Sequence, residues 1–161
     1  MTTLRTVPFN LSDDVREQTI GNLQSWLPSL IGLTLRLKQA HWNLRGVRFK
    51  SVHEQLDEIL ADARDAVDDV AERIVTLGGA ADGVPSTVSS YAGFGPFPAG
   101  LLSVETAIDT ICSDLAAVVR DGRRHIGSIG EVDPVSEDLA IGIVGAVEKH
   151  HWMLHSQREA D

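Results

Sequence analysis

The stretch His41–Glu72, HWNLRGVRFKSVHEQLDEILADARDAVDDVAE, decides how this chain folds. Apolar residues recur at helical spacing from Val52 to Leu77. Gly46 can end a helix before this stripe, and Gly78 with its neighbouring glycine can end one after it. The spacing predicts two long helices joined by a tight turn, the second covering residues 51–77.

Four potential metal ligands share one face of this second helix. His53 and Asp57 are spaced i, i+4, and so are Asp68 and Glu72. The step from Asp57 to Asp68 is close to three full turns, which leaves an angular offset of only about 20°. Imidazole and carboxylate groups together suit iron, zinc or manganese better than a soft metal. The stripe therefore indicates a metal site.

A single helix cannot bring these four side chains to one ion. At about 1.5 Å per residue, Asp57 and Asp68 are about 16 Å apart, and His53 and Glu72 are about 28 Å apart. Two copies packed antiparallel about a two-fold axis near positions 62–63 would place His53 opposite Glu72 and Asp57 opposite Asp68. The spacing predicts two identical intersubunit sites. A solvated acidic face is the alternative, because the same helix also carries Asp62, Asp65 and Asp69.

The rest of the chain predicts three more helices and one long connection. The first helix runs from an N-cap at Ser12 to about residue 45, with Pro28 causing a kink or a break. Residues 80–100 are rich in glycine and proline, so we expect a crossover with a short helix near 88–91. The third helix covers about 103–126 and ends at 127–130, and Asp133-Pro134 begins a fourth that reaches about 157. Four helices with one crossover predict an all-α, ferritin-like four-helix bundle.

Composition and charge narrow the function classes. The 161 residues are 43% hydrophobic and 23% charged, as in an ordinary soluble domain. No apolar run reaches the roughly 18 residues needed to span a bilayer, and the first residues do not resemble a secretory signal. Cys112 is the only cysteine, so an internal disulfide is excluded. We expect one domain over 1–161 with an N-terminal tail of about 1–11, and a cytoplasmic location, with association to the nucleoid as an alternative.

Two segments of the chain closely resemble the signature of the Dps family of mini-ferritins. One is KQAHWNLRG at residues 38–46, followed by Phe49 and then VHEQLD at residues 52–57. The other is DDVAER at residues 68–73, closing with LGG at 77–79. A weaker likeness lies at residues 148–154. Together these segments cover the first two predicted helices almost residue for residue.

The resemblance implies a hollow dodecamer built from two-fold dimers, whose subunits are four-helix bundles with a short extra helix in the crossover. It implies that His41, His53 and Asp57 bind iron together with Asp68 and Glu72 of the partner subunit. These five residues would oxidise Fe(II), with hydrogen peroxide or oxygen as oxidant, and the shell would store the ferric mineral. Trp42, beside His41, would be a redox-active neighbour or an interface residue. Iron would enter through pores lined by Glu131, Asp133, Glu137 and Asp138, although helix capping explains one or two of these acids equally well.

Two other functions stay open. Some members of the family bind DNA through basic tails. Here Arg5 is the only basic residue among the first 12, and the net charge of the chain is −9. Such a charge disfavours strong DNA binding, because phosphate contacts supply most non-specific affinity. A metal-dependent amide or ester hydrolase using the same ligands is the third hypothesis.

Overall fold

Four long helices form most of the computed structural model, which describes residues 4–158. They are α1 (Asp13–Asn43), α2 (Phe49–Thr76), α4 (Val104–Ile129) and α5 (Pro134–His155), with a short α3 (Pro85–Ser89) between α2 and α4. Two short strands, β1 (Leu44–Arg45) and β2 (Leu102–Ser103), pair in parallel with Leu44 opposite Leu102. No helix within residues 4–158 has the length and apolar character needed to cross a membrane.

The helices pack into a bundle around one apolar core. Helix α1 contacts both α2 and α4, and α5 contacts α4 and α2. Leu30, Leu33 and Leu37 of α1 are completely buried, at the i, i+3, i+7 spacing of one helix face. The ferritin-like bundle with a long crossover after the second helix is confirmed. Both predicted N-caps are also present, because Ser12 accepts from the amide of Val15 and Asp133 from that of Ser136.

Two helix boundaries differ from the sequence predictions, and of the two alternatives at Pro28 the break does not occur. Helix α4 continues through Gly127 to Ile129, three residues beyond the predicted end at 126; Ile129 is fully buried and extends the apolar face. Helix α1 runs through Pro28 without a break. The crossover helix begins at Pro85, three residues earlier than predicted, because proline suits the first helical position.

A buried ion pair fastens the crossover to the bundle. The Arg36 guanidinium donates two hydrogen bonds to Asp114, at 2.6 and 2.8 Å. It also lies 4.9 Å from the ring centroids of both Phe94 and Phe97. These contacts join α1, α4 and the crossover, and cation–π attraction adds to the ion pair.

The segment before α1 lies against the end of α2. The Arg5 amide donates to the Gly78 carbonyl at 2.8 Å, and Arg16 donates to the carbonyls of Arg5 and Leu77. Gly78 has a φ of +95°, which only glycine adopts readily. Residues 1–3 of the expected N-terminal tail, and 159–161 at the other end, lie outside the described residues.

Candidate metal centre

Two histidines meet where α1 turns into α2. His41 lies near the C-terminal end of α1, and His53 lies in the second turn of α2. Because strand β1 and the turn at residues 46–48 reverse the chain, the two rings stack with centroids 3.6 Å apart and planes inclined by 25°. The His41 side chain is almost completely buried. The tight turn thus creates a paired-imidazole site.

The hydrogen bonds of these rings fix which nitrogen is free. His41 Nδ1 lies 3.3 Å from the carbonyl oxygen of His53, and His53 Nδ1 lies 3.2 Å from that of His41. A carbonyl can only accept, so each Nδ1 carries the hydrogen, and in the neutral ring the lone pair is then on Nε2. Within residues 4–158, neither Nε2 has a hydrogen-bond partner. In metal-binding histidines, a hydrogen bond donated by one ring nitrogen typically orients the other nitrogen towards the metal.

The electrostatics keep the site ready for a cation at neutral pH. Burial lowers the pKa of His41, and this effect outweighs the opposing attraction of Asp57. Asp57 Oδ1 lies 2.7 Å from Lys38 Nζ and 3.2 Å from His41 Nδ1. The hydrogen bond from Lys38 lowers the pKa of Asp57 below its ordinary value. The imidazole is therefore neutral and the carboxylate ionised, the protonation states that a metal requires.

Sequence reasoning assigned no role to Lys38, although it lies in the quoted signature. Lys38 precedes His41 by three residues, so both project from the same side of α1. This i, i+3 spacing is the sequence feature that could have pointed to Lys38 as part of the site. The contact with Asp57 could not be inferred from it, because Asp57 belongs to another helix.

The other two predicted ligands do not join this cluster within one chain. Asp68 and Glu72 are exposed on α2, and neither forms an ion pair with any residue in 4–158. Helical rise alone places Asp68 about 16 Å from Asp57. In the part of one chain described here, no group of three or more His, Cys, Asp or Glu side chains is arranged to hold a metal. A site using all five residues needs a second subunit, and this stays a prediction.

The predicted pore residues divide into two kinds. Asp133 is 2% exposed, and its carboxylate accepts hydrogen bonds from Ser136 and from Arg73 of α2. Burial alone would raise the pKa of Asp133, but these hydrogen bonds outweigh that effect and lower the pKa below its ordinary value. The carboxylate of Asp133 is therefore buried and caps α5, and it is already engaged within the described chain. Glu131 and Asp138 are exposed, whereas Glu137 is half-buried against Gly130.

The bundle, its long crossover and the histidine–carboxylate cluster define a ferritin-like protein. Residues 21–160 match the ferritin-like domain family. The DNA protection during starvation protein of Mycolicibacterium smegmatis is 35% identical, over 96% of this chain and 84% of that protein. The corresponding protein of Agrobacterium fabrum is 32% identical, over 91% of each chain.

Solved structures agree with these sequence comparisons. Dps from Microbacterium arborescens in the high iron form superposes with a TM-score of 0.84 and 36% identity, covering 96% of this chain and 97% of that one. The tetragonal form of Mycobacterium smegmatis Dps gives a TM-score of 0.91 and 30% identity, covering 97% and 96%. The chain belongs to the Dps family of mini-ferritins.

Proposed function

We propose that this protein is a ferroxidase and iron-storage mini-ferritin that takes Fe(II) as substrate at sites shared by two subunits. The observation that carries the proposal is the stacked pair His41 and His53, whose Nε2 lone pairs are free beside the ionised Asp57. In each site, Asp68 and Glu72 of the partner subunit supply the remaining carboxylates.

The surface around the site supports a two-fold interface there. Leu35, Lys38 and Trp42 follow the i, i+3, i+7 spacing of one face of α1, and Lys38 contacts Asp57 on the ligand stripe of α2. Leu35 is 62% exposed and Trp42 67% exposed. Large apolar side chains that stay exposed in one subunit favour burial against another. An antiparallel pairing about residues 62–63 would cover them and complete both sites.

The ligand set favours oxidation of the bound ion. Carboxylates are hard ligands that stabilise Fe(III) more than Fe(II), so binding at this site promotes loss of an electron. With hydrogen peroxide as oxidant, two Fe(II) ions each release one electron, and the peroxide takes both electrons and two protons to form two waters. The reaction consumes the two reagents that generate hydroxyl radical. Trp42, next to His41 in sequence, would act as a redox-active neighbour by giving one electron to a stray hydroxyl radical, which takes up a proton and becomes water while the indole becomes a radical.

Storage requires a closed shell with an entry route. We assign the shell twelve subunits, as the family resemblance implies, and assign Glu131, Glu137 and Asp138 at the start of α5 to the entry pores. Carboxylates at a pore attract divalent cations and raise their local concentration. The net charge of −9 per chain adds to this attraction.

The test is anaerobic loading of the purified assembly with Fe(II), followed by a pulse of hydrogen peroxide. We expect two irons oxidised per peroxide with little hydroxyl radical, and loss of this stoichiometry in Asp68→Ala/Glu72→Ala. Asp65→Ala/Asp69→Ala is the matched control, because it removes two exposed carboxylates from α2 outside the ligand stripe. Equal oxidation in both variants would refute the assigned site.

DNA protection is the second candidate, favoured by the names of the relatives from Mycolicibacterium smegmatis and Agrobacterium fabrum. The acidic chain and the engagement of Arg5 with the Val75 carbonyl oppose a direct role for the N-terminal segment. A gel-shift assay at low and moderate salt, with and without Mg²⁺, separates the possibilities. Strong binding without Mg²⁺ would favour direct DNA protection, and binding only with Mg²⁺ would indicate cation bridging.

A further inference from the structure

A groove of about 410 Å³ runs between α2 and α5, apart from all five proposed iron ligands. Ala66 of α2 and Ile143 and Val147 of α5 form its apolar floor, and the completely buried Leu33 and Leu115 lie beneath them. The small residues Ala63 and Gly142 line its two walls and leave the space between the helices unfilled. This volume lies within the range of about 300–1,000 Å³ that is typical of small-molecule sites.

The rim of the groove is anionic. Asp62, Asp65 and Asp69 of α2 and Asp138 of α5 all contribute to the lining, whereas no lysine or arginine does. Asp62 is paired with His150 at 2.6 Å. The other three carboxylates have no ion-pair partner among residues 4–158. The groove therefore combines an apolar floor with uncompensated negative charge.

We propose that this groove binds a linear aliphatic chain that carries a cationic head group. The chain would lie on the apolar floor, and the ammonium group would meet the free carboxylates at the rim. An anionic amphiphile would be repelled by these carboxylates. From Asp138 to His150, α5 extends about 18 Å, which gives an extended chain room to lie along the seam.

The first test is calorimetric titration of the intact assembly with alkyltrimethylammonium ions below their micellar concentrations. We expect saturable binding of octyltrimethylammonium, tightening by up to about fourfold for each methylene between the hexyl and octyl chains, since that is the value of full methylene burial. Octyl sulfate is the charge-reversed probe and should not bind. Equal binding of octyl sulfate, or no dependence on chain length, would overturn the proposal.

Two variants and their controls locate the site. A Cβ at Gly142 would meet nothing within 4 Å, so Gly142→Leu fills the groove without disturbing the core, and Gly145→Leu makes the same change on α5 outside it. We expect Gly142→Leu alone to weaken binding by about tenfold or more, the equivalent of roughly two buried methylenes. Equal affinity in these two variants would refute the site.

The charge variants are tested in the same way. Asp65→Asn/Asp69→Asn should weaken octyltrimethylammonium binding several-fold, whereas Glu54→Gln/Glu58→Gln, which removes two charges from α2 outside the groove, should not. If both double variants lose the same affinity, the effect comes from overall charge and not from the groove, and the proposal is contradicted. The mass of the assembly is followed throughout. If the probe releases subunits, the groove is covered by another copy of the chain, and the proposal is wrong.

Discussion

Subunit complementation gives the sharpest test of the intersubunit iron site. One variant, His53→Ala/Asp57→Ala, removes ligands from one half of each site. The second variant, Asp68→Ala/Glu72→Ala, removes them from the other half. Along α2, these two pairs are separated by at least about 16 Å, so one chain cannot bring them to the same ion. Each variant alone should lose site-dependent oxidation.

The expected recovery follows from the two-fold symmetry. In a mixed dimer, one site carries both defects, and the other combines the intact half of each chain. Random pairing at equal amounts makes half of the dimers mixed, and half of the sites in a mixed dimer are intact. About one quarter of the wild-type sites should therefore be restored.

The assay is the initial rate of Fe(II) oxidation by peroxide, measured after the variants are refolded separately and as a mixture. Shell mass and thermal midpoint of each preparation serve as controls for assembly. A rate near one quarter of wild type in the mixture supports a site shared across the two-fold axis. No recovery in correctly assembled mixed shells would refute the shared site, because sites built within one chain are broken in every subunit.

Three further predictions concern stability, measured as thermal midpoints at fixed subunit concentration. Arg36→Ala should lower the free energy of unfolding by about 3–5 kcal/mol, because it leaves the buried Asp114 carboxylate unpaired. Arg36→Met/Asp114→Leu should recover much of this loss, because it also removes the carboxylate. Equal losses in the two variants would contradict this explanation. Gly122→Ala should cost about 1–3 kcal/mol, because the new Cβ would lie 2.7 Å from Trp26 Cζ2, and an unchanged midpoint would refute this close packing. Burial lowers the pKa of His125 below its ordinary value of 6.5, so on acidification the unfolded chain binds a proton at this residue before the folded chain does. The free energy of unfolding should therefore fall as the pH drops below 6.5. If stability falls equally steeply with pH in the wild type and in His125→Gln, His125 is not the cause.

Local sequence rules predicted the parts of the site that depend on one helix. The i, i+4 spacing of His53 and Asp57 places both on one face of α2, and the structure has them there. The stacking of His41 on His53 was beyond such rules, because it depends on the turn in which Arg48 adopts a φ of +66°. The contact between Lys38 and Asp57 has the same origin, since it joins two helices.

Asp133 is a second case in which neighbouring residues predict the secondary structure but not the tertiary contacts. The Asp-Pro pair correctly predicted a helix start, which depends on neighbouring residues alone. The acidic composition around it also suggested a pore, but the carboxylate of Asp133 is engaged with Arg73 and Ser136. Its carboxylate is buried by Arg73, which is 60 residues away in sequence, and only the tertiary fold brings the two together. Asp138 remains exposed on α5 and keeps its proposed role.

The parallel pairing of β1 with β2 fixes the two ends of the crossover beside the metal centre. Backbone hydrogen bonds hold Leu44 opposite Leu102, so the chain between them leaves and returns at one fixed point. Residues can be added near Ser90 without moving that point, because Ser89 and Ser90 are exposed and lie outside the contacts of Phe94 and Phe97 with Arg36. The crossover is therefore a natural place to graft a foreign peptide onto this protein while leaving the geometry of His41 and His53 unchanged.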